Sequence, residues 1–144
     1  MSNMNDLWKV IKERVRHNHN LREPFYYPGS PEDIFIKICT NRLFILEIIL
    51  HEHRKKYATI FQPLSGKEAL HHMIFIKTLW KPAEIRSLSL ADSLFVIDEE
   101  LQIDKLPEEA KSFIEQFKIP ENSITAYSLL EADWAPKENS VYLI

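Results

Sequence analysis

The sequence predicts a mainly α fold: a compact single-domain bundle of about five or six helices with a short C-terminal β-hairpin. Three observations lead there. Several segments carry helix-start residues followed by apolar side chains at helical spacing. Only 2 glycines occur in 144 residues, too few for the many tight turns of a barrel or sandwich. The apolar fraction is 45%, which at this length builds one core spanning residues 1–144 without disulfide or metal staples.

The elements follow in order. Leu7, Trp8, Ile11 and Val15 fall on one face of a helix over Asn5–His17, with Lys9, Lys12, Arg14 and Arg16 around the rest. Residues 23–29 read as a loop held extended by Pro24 and Pro28. Ser30-Pro31-Glu32-Asp33 opens a second helix: serine caps, proline suits the first turn, and two acids meet the positive end of the helix dipole. That helix is expected to run to about Cys39, with Thr40-Asn41 as a break or new cap. Leu43–Leu50 is apolar on every side, so periodicity leaves both a buried helix and a central strand open. The helix is favoured because the run continues into His51–Lys56, a basic stretch suited to a helix C-terminus.

Ser65-Gly66-Lys67-Glu68 has the spacing of a capping box before a helix carrying Ala69, Leu70, Met73, Ile76 and Trp80. Ser89 and Asp92 start another, striped by Leu90, Leu94, Ile97 and Leu101. Pro107-Glu108-Glu109 opens a helix with Ala110, Phe113, Ile114 and Phe117 on one face, closed by Pro120. Ser123–Leu130 and Ser140–Ile144 read as two short strands joined through Trp134–Asn139. The expected core includes Ile45, Leu46, Ile49, Ile74, Leu94, Phe113 and Phe117.

Composition excludes several functions. Two isolated glycines, Gly29 and Gly66, cannot build a phosphate-binding or dinucleotide-binding glycine loop. Ser65-Gly66-Lys67 therefore has no phosphate-loop context. A single cysteine, Cys39, forms no intrachain disulfide, and with no signal-peptide pattern at the N-terminus the expectation is a cytoplasmic protein. Cys39 sits among apolar neighbours, the setting of a structural rather than a nucleophilic thiol. The six histidines fall as His17/His19, His51/His53 and His71/His72. Neither spacing puts two imidazoles on one helix face, so no metal or cofactor is expected. The exception would arise if Leu43–His53 were a strand, which would place His51 and His53 on the same face.

Charge is the remaining signal. Met1–Lys81 holds 13 basic and 8 acidic residues, a balance of +5, whereas Pro82–Ile144 holds 5 basic and 13 acidic, a balance of −8. Asp98, Glu99, Glu100, Asp104, Glu108 and Glu109 concentrate the acid. Glu108 and Glu109 suit a helix N-terminus. Asp98-Glu99-Glu100 falls where the preceding helix should end, opposing its dipole without an evident structural return. The sequence thus points to a non-catalytic protein-binding inhibitor, resembling immunity proteins or antitoxins in its physics. Its acidic surface would neutralise a basic protein, a nuclease toxin being one such partner, and repel nucleic acid. The alternative is a nucleic-acid-binding or regulatory module using Lys9, Lys12, Arg14, Arg16, Arg22 and Arg54-Lys55-Lys56.

Overall fold

The computed structural model describes residues 3–21, 26–119 and 129–143. Seven α-helices and four 3-10 turns account for their regular structure, and none of the described residues forms a strand.

Helix α1 (Met4–Asn18) buries the expected stripe of Leu7, Trp8, Ile11 and Val15 against α2 (Pro31–Tyr57), a helix of 27 residues. Helix α2 starts as expected. The Ser30 hydroxyl accepts from the Asp33 amide at 3.2 Å. Asp33 in turn accepts from the Gly29 amide at 2.9 Å and pairs with Lys37 at 3.1 Å. Burial alone would raise the Asp33 carboxyl, but these partners, with Lys12 nearby, hold it below its ordinary value.

The expected break at Thr40-Asn41 does not occur. Thr40 is buried inside a continuous helix. Asn41 is committed elsewhere: its carbonyl accepts from the Trp8 indole at 3.0 Å, and its amide donates to the Phe117 carbonyl oxygen at 2.9 Å. Leu43–Leu50 is buried on all sides. A helix apolar all round is buried within its domain; α1 and two later elements, Glu68–Thr78 and Asp98–Leu101, pack directly on this one.

Helix α3 (Glu68–Thr78) and the short α4 (Pro82–Arg86) follow. The Ser65 capping box is absent; α3 begins at Glu68 with no side-chain cap. Gly66 instead makes a left-handed turn at φ +60°, and a Cβ there would meet Cε of Lys137 at 3.2 Å. Helix α5 (Leu90–Val96) has the expected Ser89 cap, accepting from the Asp92 amide at 3.0 Å. Its stripe of Leu90, Leu94, Ile97 and Leu101 is buried. Two 3-10 turns, Asp98–Leu101 and Ile103–Lys105, lead to α6 (Glu108–Glu115).

Of the expected core, Ile45, Leu46, Ile49, Ile74 and Leu94 are buried, while Phe113 and Phe117 are only partly so. Phe117 stacks on Trp8 at 3.9 Å between ring centroids, and Phe113 lies 5.3 Å from Phe44. Both rings cover the core from outside.

The C-terminal β-hairpin is not found. The first of its strands lies mostly outside the described residues. The proposed turn and second strand are helical: α7 (Pro136–Asn139) and a 3-10 turn at Ser140–Tyr142. Pro136 in the first turn of α7 begins a helix in the segment expected as a turn. This segment is held by long-range polar bonds. Asp133, fully buried, accepts from the Asn18 amide at 2.9 Å and pairs with His19 Nε2 at 2.8 Å. The Tyr142 carbonyl accepts from the Asn3 amide at 3.0 Å. No helix among the described residues is long and apolar enough to cross a membrane.

Candidate functional site

The acids singled out by sequence lie on one stretch of chain from the turn after α5 to the first turn of α6. Three of them have cationic partners. Asp98 accepts from Arg42 of α2, and Glu100 pairs with Lys77 of α3 at 3.0 Å. The same ammonium stands 3.9 Å from Glu99. Helix α5 ends at Val96, so the triad forms the first turn of a new 3-10 helix and does not oppose a dipole. The expectation that Asp98-Glu99-Glu100 brings no structural return is therefore corrected: it ties this turn to α2 and α3. Asp104, Glu108 and Glu109 are exposed and pair with no described residue.

Beside the acids stands apolar surface that the sequence reading did not single out. Phe95, just before the acidic turn, is 84% exposed, and Leu79, just after α3, is 74% exposed. Ile76 and Trp80, expected on the buried stripe of α3, are exposed instead, and Trp80 lies beyond the end of the helix. The Lys77–Glu100 pair bridges the two elements that carry these side chains. Leu79 also holds a left-handed backbone, φ 60°, as the C-cap of α3. Glycine is the ordinary residue there, and an L side chain costs about 1 kcal/mol. The chain thus bears a conformational cost and an exposed leucine at one position.

The basic residues of the alternative reading are largely engaged. Arg14 bonds to Asn139 at 2.8 Å and Glu138 at 3.1 Å. Arg16 pairs with Glu13, and Lys55 with Glu52. Lys12 lies over the Trp8 ring and Lys56 over Tyr57. Arg22 lies outside the described residues.

The histidines are arranged in a way that spacing along one element could not reveal. Leu43–His53 is helical, so the shared strand face for His51 and His53 does not exist. Instead His53 of α2 meets His72 of α3, Nε2 to Nδ1, at 2.8 Å, with the Tyr57 ring tilted against both. Burial first, then the charges of His72, Lys56 and Arg54, push His53 down to about 4, so it is neutral at physiological pH. His71, Gln62 and Arg86 line a cavity of about 290 Å³ between α3 and α4. Among the described residues, no group of three or more His, Cys, Asp or Glu could hold a metal ion.

Two further groups lie in the interior. Burial pushes the Cys39 thiol up to about 12, with Asp133 adding to the effect. Cys39 should accordingly react with a thiol reagent far more slowly in the folded protein than in denaturant; equal rates, followed spectrophotometrically, would place it at the surface. Glu47, 1% exposed, is raised to about 7, chiefly by desolvation. The Trp134 indole donates to it, and Arg54, Asn139 and Arg14 favour its ionised form. Glu47 Oε2, Arg54 Nη2 and Asn139 Nδ2 are buried without a well-formed hydrogen bond.

Comparison of the chain with protein-family models, with curated proteins and with solved structures found no match.

Proposed function

We propose that this chain is a non-catalytic binding protein. It engages a basic protein partner through the face formed by Leu79, Trp80, Phe95, Glu99 and the acids Asp104, Glu108 and Glu109. The observation that carries the reading is Leu79. It stands exposed in a left-handed cap, beside Trp80 and near the acidic turn, where a glycine would serve the fold better. Apolar side chains ringed by charge are the anatomy of a protein interface, with tryptophan a frequent anchor. A balance of −8 over Pro82–Ile144 selects a basic partner, and the cleft of a nuclease toxin has that chemistry. An inhibitor acting this way would occupy the cleft in place of nucleic acid.

The nucleic-acid alternative is disfavoured because Arg14, Arg16 and Lys55 already have acidic partners.

Leu79→Gly separates fold from function. The variant should be as stable as wild type or more stable, by up to about 1 kcal/mol, because the left-handed strain is relieved. It should also bind the partner more weakly. A variant that loses stability by denaturant unfolding, or keeps full binding to a partner captured by wild type, would show that Leu79 serves the fold alone.

A further inference from the structure

The groove between α3 and α4 differs in chemistry from the acidic face. Its base includes Leu64 and Ile85, both buried, and Phe75 is a partly exposed aromatic wall. His72 and Arg86 also line it. Arg86 is exposed and forms no ion pair with a described residue. The bond to His53 uses Nδ1 of His72 and fixes the imidazole from behind. Nε2 of His72 is left for a ligand.

The electrostatic surroundings are mainly cationic. Arg54 and Lys56 act on His53 from α2, and Arg86 and Lys67 act on His71; Glu68, at the start of α3, also lines the groove and opposes them. A concave apolar site with a few convergent polar groups is the usual form of a small-ligand pocket. At about 290 Å³ it stands at the small end of the usual range. One ring with one charged group suits that volume.

We propose that this groove binds a small planar anion, a single aromatic ring bearing a carboxylate or phosphate. Arg86 and Nε2 of His72 take the anionic group, and the ring lies against Phe75. Arginine matches the planar, two-oxygen face of either anion. The His53–His72 bond acts as the positioning element, as an outer partner orients a ligating imidazole.

The test is a titration of the full chain at constant ionic strength, followed by NMR of the His72 and Phe75 side chains. The probes are benzoate, phenyl phosphate, inorganic phosphate and benzyl alcohol. At least one aromatic anion should saturate the shifts with a Kd of about 1 mM or tighter. Arg86→Gln, a change at an exposed side chain, should weaken it about tenfold. The better of benzoate and phenyl phosphate identifies the anionic group. The proposal is overturned if neither aromatic anion saturates, or if Arg86→Gln binds as wild type does. It is equally overturned if benzyl alcohol matches benzoate, since charge would then contribute nothing. Inorganic phosphate binding as tightly as phenyl phosphate would remove the role of the ring.

Discussion

Phe44→Ala should cost the domain about 3–5 kcal/mol, a large part of the 5–15 kcal/mol that holds a typical domain folded. Phe44 is fully buried at the middle of α2, the helix on which α1 and α3 pack. Removing its ring leaves a cavity that a long helix, tied at Asn41 and Glu47, is poorly placed to collapse. Phe113→Ala, on the other side of the same ring contact, should cost clearly less, about 1–2 kcal/mol, because Phe113 is only partly buried. Urea unfolding of the two variants checks the order. Equal losses would place Phe113 in the core with Phe44.

Glu47→Gln should change the pH dependence of stability strongly. The ordinary value for Glu47 is 4.5 and the folded value about 7. Between them the folded protein holds a proton that the unfolded chain has released. Stability from this group is therefore complete below pH 4.5 and is lost as pH rises through about 7, by roughly 3 kcal/mol in all. His53 acts with the opposite slope. Its folded value, about 4, lies below the ordinary 6.5, so stability is lost as pH falls from 6.5 toward 4. His71, also lowered, adds to the His53 side.

In wild type the two slopes oppose each other over nearly the same range. Glu47→Gln keeps an acceptor for the Trp134 indole and removes the falling slope. Its stability should climb from pH 4 to 6.5. His53→Gln should show the reverse, a decline across that range. Urea midpoints at a series of pH values distinguish them. A Glu47→Gln profile parallel to wild type would mean that Glu47 titrates in the folded protein as it does in the unfolded chain.

What could be read from sequence was local. The Ser30 and Ser89 caps, the Leu7–Val15 stripe and the all-round apolar run of α2 are written within a few residues of each other, and the structure bears them out. The continuity of α2 was not legible, because Asn41 looks like a cap until Trp8 and Phe117 occupy its amide from 33 and 76 residues away. The C-terminal segment failed similarly. Its alternation suits a strand, but Asp133, Trp134 and Tyr142 fasten it to α1, α2 and the N-terminus.

Among the candidate site residues, the acids were found and their partners were not, since Arg42 lies 56 residues from Asp98 and Lys77 lies 23 from Glu100. The exposed Leu79 and Phe95 were not singled out, because burial is not written in the apolar pattern of short helices. The histidine pairs were visible, but each was judged within its own helix, and the bond forms between helices.

The partners of Asp98 and Glu100 also decide how the binding face should be tested. Reversing those two acids would set like charges against Arg42 and Lys77 and disturb the fold. Glu99 also faces Lys77, at 3.9 Å, whereas reversing Asp104, Glu108 and Glu109 to lysine breaks no ion pair with a described residue. The direct measurement is capture from an extract of the native host by wild type and by this threefold reversal. Association kinetics with the recovered protein, at about 0.1 M and 1 M salt, complete it; the Debye length falls from about 10 Å to about 3 Å between them. Wild type should recover a basic protein that the reversal loses, and its association should slow at least about tenfold at the higher salt while dissociation changes little. Recovery of the same protein by both forms, with the same salt dependence, would contradict the account and leave the acids as a solvated surface.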